Sequence, residues 1–400
     1  MGFAFIIFIP IFILALAPSF IAAESSWRAF SLRTSLWEQG GMRGGKQSGL
    51  KSRPGMDRIA EGLRDGREVY YRGEKVDDVT THHDLGIGVE HVALDFELAE
   101  DQEHRELMTW MDLGGGERVS RYFKIPTDTS DLLNRREMIE RSTRLGGSVV
   151  LLIKEIGTDA LFALDVVTGH LDKHAGGQYN PRVKAFLEQC KTKDLSLAVA
   201  QTDVKGDRSL LPSQQDHPDY YVRIVEERAD GIVVRGAKAH TTCAPYVDEL
   251  IVLPTRAVKE EDSAYAVSFA VPVNAPGLKL IASPFGSPPV SEFHHPVSSS
   301  HRMIDTLTIF DDVFIPNERV FLKGEWQYAG PLANTFVEFH RFTAASYKPP
   351  LCDLFIGAAA LLAEYNGIAK ASHVREKITK LITHTETVRG LTLAAAHDCR

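Results

Sequence analysis

The chain has 400 residues, is 44% hydrophobic and 24% charged, and carries a formal net charge of -8. That leaves room for two or three domains with real cores in an ordinary globular composition. The acidic balance and the lack of a lysine- or arginine-rich run argue against nucleic acid as a partner, and four scattered cysteines without CxxC spacing argue against a disulfide framework or a zinc ribbon.

Residues 1–24 are almost wholly apolar from Phe3 to Ala23, with no Lys or Arg before Arg28. Such a leader reads as a signal peptide or an anchor, or as an extension outside the working protein. It is the one segment that would involve a membrane; the rest suits a reducing, cytoplasm-like compartment. Residues 25–55, rich in Gly, Ser and basic side chains, read as a flexible lead-in.

From Met56 the pattern becomes regular. "MDRIAEGLRDG" places Ile59 and Leu63 on one helical face, and Gly66 ends it. "REVYYRGEKV" alternates as a hairpin turning at Arg72-Gly73. Apolar residues recur at helical spacing from Gly86 to Leu107. "TDTSDLLNRREMIERSTRLGG" has a polar start, an acidic first turn and a double-glycine stop. "VVLLIKEIGTDALFALDVVTGHLDKH" reads as one or two core helices, and "NPRVKAFLEQCKTKD" as another helix. Residues 56–194 are thus expected to form a helical domain.

Near Leu195 the texture changes to short runs rich in Val, Ile, Tyr and Phe: "LSLAVAQTD", "YYVRIVEE", "GIVVRG", "ELIVLPT", "YAVSFAVPV", "LKLIAS" and "LTIFDDVFIP". Residues 195–330 are therefore expected to be an antiparallel barrel or sandwich. After Pro331 the helical period returns, with Pro349-Pro350 as a break and Ser372 as the N-cap of a further helix. Residues 331–400 read as the start of a helical domain, the pattern stopping in mid-helix. The fold class is α+β.

Four stretches could carry chemistry. "QTDVKGDRSL" combines Lys205 and Arg208 with Gly206, a composition suited to a pyrophosphate and equally to a tight turn. "VVRGAKAHTT" places Arg, Lys, His240, Thr241 and Thr242 between apolar runs, a polar loop or a phosphate site. "EFHRFTAASYKPPLCD" gathers His340, Tyr347 and Lys348 as an acid/base set or a solvated loop. In "IDTLTIFDDVFIPNERVFL", Asp305 is the candidate for chemistry.

Taken together with "GREVYYRGEKVDDVTTH", "GTDALFAL", "YVRIVEERADGIVVRGAKAHTT", "AYAVSFAVP", "FDDVFIPNERVFL" and "IGAAALLAEYNGIAKASHV", these stretches resemble the 4-hydroxyphenylacetate 3-hydroxylase family of FAD proteins. Within it the nearer likeness is to the 4-hydroxybutyryl-CoA dehydratase/vinylacetyl-CoA isomerase branch. The resemblance spans residues 56–400. It implies an acyl-CoA-dehydrogenase-like fold, a central barrel between helical domains, a homotetramer and FAD. It also implies flavin contacts at Gln201, Thr202, Asp203, Lys205, Gly206, Asp207, Arg208 and Thr242, and catalytic roles for His340, Lys348 and Asp305.

The branch that holds a [4Fe-4S] cluster uses three Cys and one His. Here the His is His340, but the Cys positions are Leu151, Glu155 and Tyr347, so no cluster and no metal site is expected. A tyrosine of that branch becomes Ala344. The hydroxylase branch's substrate-binding Arg, Tyr and His fall at Leu152, Ile156 and Val199. These departures imply an FAD-dependent oxidoreductase acting on a small organic substrate such as a CoA thioester. The alternatives are a lyase like the dehydratase and a non-catalytic relative.

Overall fold

The computed structural model describes residues 54–112, 114–283 and 291–399. The apolar leader and nearly all of the lead-in lie outside these residues. Among the described residues no helix is long and apolar enough to cross a membrane.

Helix α1 (Pro54–Leu63) leads into the hairpin β1 (Glu68–Tyr71) and β2 (Glu74–Val76). Its two turn residues both sit in the left-handed region, Arg72 at φ 52° and Gly73 at φ 89°, as a tight hairpin turn requires. Then come α2 (Leu85–Glu100), a short α3 (Arg105–Met108) and a second hairpin, β3 (Thr109–Asp112) with β4 (Glu117–Ser120). These four-residue strands are too short to leave an alternation in the sequence. Helix α4 (Thr129–Leu145) starts on Asp128, whose carboxylate accepts from the Asp131 amide, and ends at Gly146.

The long apolar run resolves into one helix, α5 (Glu155–Ala175), preceded by non-helical residues in which Leu152 has φ 55°. Helix α6 (Tyr179–Lys193) follows. A Cβ on Gly157 would lie 2.2 Å from the Leu197 Cβ. Only glycine lets the start of α5 press this closely on the first central strand.

Strands β5 (Leu197–Ala200), β6 (Arg223–Glu227), β7 (Gly231–Thr242), β8 (Glu249–Val252), β9 (Val267–Pro272), β10 (Leu278–Ser283), β11 (Asp305–Pro316) and β12 (Val320–Lys323) complete the sheets. Of the antiparallel barrel or sandwich expected, a closed barrel does not form among the described residues. Among the described residues there is a six-stranded sheet, β2-β1-β10-β11-β7-β6, and a four-stranded one, β12-β9-β8-β5. Two pairings, β1–β10 and β5–β8, are parallel. Phe269 of one sheet meets Phe310 of the other edge to face at 5.7 Å. The N-terminal hairpin edges the larger sheet, so the sheet draws on residues on both sides of position 195.

Two further corrections concern the last helices. Helix α7 runs from Trp326 to Tyr365 straight through Pro331, Pro349 and Pro350. Pro349 and Pro350 are buried, and each costs one helical N–H donor; packing overrides that local cost. Helix α8 (Ser372–Asp398) is capped from Ala371, so Ser372 is its first helical residue and not its N-cap.

Candidate functional site

Three neighbouring groups of side chains occupy the ends of β5, β7 and β11 and the helices beside them. The first is the loop after β5. The Asp203 side chain turns inward: Lys238 Nζ lies 2.8 Å from its Oδ1, the Val222 amide donates to the same oxygen at 2.9 Å, and the Thr255 hydroxyl donates to Oδ2 at 2.5 Å. Lys238 also donates to the carbonyls of Gln201 and Leu253, both at 2.9 Å. Burial pushes its ammonium pKa below the ordinary value, and the Asp203 charge opposes that. The Thr202 carbonyl accepts from the Ala239 amide, and the Gln201 side chain reaches the Ala333 carbonyl on α7.

Beyond this knot the loop opens outward. Lys205 (φ 78°) and Gly206 (φ 56°) are consecutive left-handed residues. Asp207 turns its carboxylate onto Ser209, and the Gln215 amide holds the Asp207 backbone. Lys205 is half-buried and Arg208 exposed, and neither has a carboxylate partner among the described residues. Two unpaired cations beside a left-handed turn are a donor set that fits a pyrophosphate.

The second group corrects the reading of "VVRGAKAHTT" as a loop. It lies within the twelve-residue strand β7. Bulges shift the β7–β11 register at Ala239-His240 and at Asp311-Asp312, with His240 at φ 58° and Asp312 at φ 54°. Each polar residue thereby acquires a separate job. Arg235 forks onto Asp312 at 2.8 and 2.6 Å. Lys238 goes inward to Asp203, and His240 faces out. Thr241 joins a buried hydroxyl ladder with Thr306 and Thr308. Thr242 donates to Asp305 at 2.6 Å, so the structure brings these two site candidates together directly.

The third group lies where α4, α5 and α7 meet. His340 Nδ1 is 3.1 Å from Asp159 Oδ2, and Phe336, one turn earlier, stacks on the imidazole at 5.6 Å and 5°. Asp159 Oδ1 accepts from Arg135 at 2.7 Å and from the Thr343 hydroxyl at 2.9 Å. Arg135 also binds the Tyr122 and Glu155 carbonyls and the Thr158 hydroxyl. Glu155 accepts from the Tyr122 hydroxyl at 3.2 Å and from the Lys154 amide at 3.2 Å. Burial, then the charge of Asp95, pushes its carboxyl up to about 7. Tyr347 is half-buried, its phenol pKa raised by burial and then by the charges of Asp159 and Glu155. Lys348 is exposed, and no contact joins it to His340.

Leu151 and Cys243 connect the second and third groups. The Cys243 thiol points at the Leu151 carbonyl at 3.5 Å, and the Cys243 amide donates to Ile304 beside Asp305. Burial, then Glu155, pushes that thiol well above its ordinary range. Glu155 thus acts on Cys243 on one side and Tyr347 on the other. The positions that the resemblance equates with the cluster cysteines carry an aliphatic side chain, a buried carboxyl and a phenol. This donor set does not fit an iron–sulfur cluster, which needs thiolates. Sequence reasoning missed Arg135, Asp159 and Thr255, and read Lys238 only as one residue of a polar loop or phosphate site. A signal for Asp159 was present: an acidic residue inside the apolar stripe of "GTDALFAL" must find a buried partner.

Comparison with known proteins gives this geometry a context. Residues 57–322 match the model described as 4-hydroxyphenylacetate 3-hydroxylase N terminal, and residues 329–400 match its C-terminal counterpart. The chain is 37% identical over 328 residues to 4-hydroxybutyryl-CoA dehydratase/vinylacetyl-CoA-Delta-isomerase of Clostridium aminobutyricum, covering 80% of this chain and 66% of the relative. It is 30% identical over 334 residues to the 4-hydroxyphenylacetate 3-monooxygenase oxygenase component of Thermus thermophilus, covering 83% and 68%. Among solved structures, a 4-hydroxybutyryl-CoA dehydratase from N. maritimus superposes with a TM-score of 0.79 at 31% identity, over 86% of this chain and 68% of the other. The oxygenase component of a 4-hydroxyphenylacetate 3-monooxygenase complexed with FAD gives 0.78 at 28% identity, over 87% and 72%. The chain therefore spans about two thirds of the length of these curated relatives.

Proposed function

We propose, from the premise that the chain belongs to the 4-hydroxyphenylacetate 3-hydroxylase family, that it is an FAD-dependent oxidoreductase acting on a small organic substrate. The observation that carries this reading is the outward face of residues 204–208, where Lys205 and Arg208 stand unpaired around a left-handed turn. In this reading Lys205 and Arg208 hold the pyrophosphate of FAD, while Thr242 and Asp305 line the neighbouring strand ends. Bound FAD would supply the electron-transfer chemistry. Gln201, Thr202 and Asp203 set the loop's position from below, Asp203 through its buried pair with Lys238. Asp207 shapes the turn through Ser209. His340 accepts or returns a proton at Nε2, and Lys348 offers a cation to a substrate carbonyl or acidic group, such as a CoA thioester.

The same reading carries an acyl-CoA-dehydrogenase-like order of helices, sheets and helices, divided near residues 195 and 330, and a homotetramer. Exposed apolar side chains on α7 and α8, among them Phe355 at 56%, Leu362 at 61% and Leu391 at 66%, support assembly through that face. Light scattering should then return four copies.

The cofactor is tested by titrating FAD and following flavin absorbance and fluorescence. The native chain should retain FAD. Lys205→Ala and Arg208→Ala should each weaken binding by roughly tenfold with circular dichroism unchanged, as expected for one lost charge-assisted contact. Failure of the folded protein to take up FAD would overturn the assignment.

A lyase of the dehydratase type is the second reading, favoured by the 37% identity to that relative. Leu151, Glu155 and Tyr347 oppose it, because they give no ligand set for the cluster that branch uses. Iron and sulfide analysis separates the two readings: stoichiometric iron with sulfide would support the lyase.

A further inference from the structure

We infer that Asp159 is a positioning residue for His340, fixing the imidazole tautomer so that Nε2 carries the lone pair at the proposed flavin site. This rests on the functional reading above for what Nε2 does there, but not for the geometry. Asp159 is 1% exposed and has two oxygens with divided tasks. Oδ1 takes Arg135 and Thr343, and Oδ2 is left for His340. A carboxylate paired with a buried guanidinium has no proton to give. Nδ1 of His340 must therefore be the donor, and the free lone pair falls on Nε2.

The ring's orientation is also determined. Phe336 lies flat against one face, and Thr343, one turn beyond His340 on α7, binds the same carboxylate. Two residues of α7 thus dock on one side chain of α5, which sets both the rotation of the helix and the direction of the imidazole. Arg135 has four further acceptors or neighbours on α5 and around Tyr122, which keeps the carboxylate in place when the imidazole changes charge. The charged and titratable groups around His340 are Arg135 from α4, Asp159 and Glu155 from α5, and Tyr347 from its own helix. Of these, Asp159 alone is within hydrogen-bond distance of the ring.

The tautomer can be read without knowing the substrate. In protein with 15N-labelled histidine, the His340 signals are identified as those lost in His340→Gln. The native protein should show a protonated Nδ1 and a pyridine-like Nε2. In Asp159→Asn the amide group donates to Nδ1, so the pattern should reverse. Carbethoxylation at position 340, followed by mass spectrometry, should slow roughly tenfold to a hundredfold in Asp159→Asn, the worth of one hydrogen bond to a developing charge. Asp159→Glu should recover part of that rate. A protonated Nε2 in the native protein would overturn the inference, and this measurement stands even if Asp159→Asn fails to fold. FAD titration of the same samples keeps the two questions apart. Correct tautomer without flavin uptake would sink the functional reading alone, and flavin uptake with a protonated Nε2 would sink the positioning role alone.

Discussion

Asp203→Ala is expected to cost about 3–5 kcal/mol of stability, the effect of leaving a buried charge without its partner. Lys238 is 2% exposed and its Nζ faces Asp203 Oδ1 and two carbonyls. Carbonyl dipoles solvate an ammonium, but they do not neutralise it. Removal of the carboxylate also strands the Val222 amide, which donates to it, whereas the Thr255 hydroxyl keeps the Gln201 carbonyl at 2.7 Å. Lys238→Met should be destabilising for the mirror-image reason. Replacing both residues together should cost less than the sum of the single changes, because no unpaired charge then remains. Denaturant titration of the four proteins gives the cycle. The functional consequence follows from the position of the pair. Asp203 bridges to Lys238 and is followed within two residues by Lys205. Asp203→Ala should therefore lower FAD affinity and stability together, whereas Lys205→Ala and Arg208→Ala lower affinity alone. If Asp203→Ala kept its full stability and lost FAD, the carboxylate would be a ligand contact and the buried pair would be energetically silent.

That contrast shows what local sequence could and could not disclose. The Arg72-Gly73 turn, the Asp128 cap and the Gly146 stop were readable because each depends on residues within one turn of chain. The basic loop at 205–208 was readable as chemistry because its cations are exposed and local. Asp203 sits two residues away with the same polar appearance, yet its partners Lys238 and Thr255 lie far along the chain, so its inward direction had no local mark. From sequence alone the strand at 231–242 reads as broken, because Gly236, Lys238 and His240 look like turn residues. Bulges against β11 accommodate them, and pairing with a strand some seventy residues away decides the matter. The Pro349-Pro350 pair misled in the opposite sense. A local rule called for a helix end, and burial against the helical core outweighed two missing donors.

The largest pH effect should come from two buried groups that pull in opposite directions. The Glu155 carboxyl is held up at about 7 against a usual 4.5, by burial and then by Asp95. The folded chain therefore keeps a proton that the unfolded chain releases. The resulting stability is complete below pH 4.5 and is lost as pH rises through 7, a loss on the order of 3 kcal/mol. His91 is pushed down to about 4 from 6.5, by burial and then by His301. Its Nε2 donates to the Val150 carbonyl, and its Nδ1 faces His301 Nδ1 at 3.2 Å, so the folded chain resists protonating it. Here stability is complete above pH 6.5 and is lost as pH falls towards 4, by a comparable amount. Glu155→Gln should match the native chain near pH 5 and exceed it at pH 8. Its amide can donate to the Tyr122 oxygen while the Tyr122 hydroxyl turns to Ser142 and the Gln oxygen keeps the Lys154 amide. His91→Gln keeps a donor for Val150 and should match the native chain at pH 8 in slope while gaining ground below pH 6. Differences between variant and native denaturation midpoints across this range isolate each group, because all other titrations cancel. A Glu155→Gln difference that stays flat from pH 5 to 8 would mean that the carboxyl is ionised and solvated in the native fold. The polar cluster at Glu155 would then be open to water and to protons from the site beside it, not a closed part of the core.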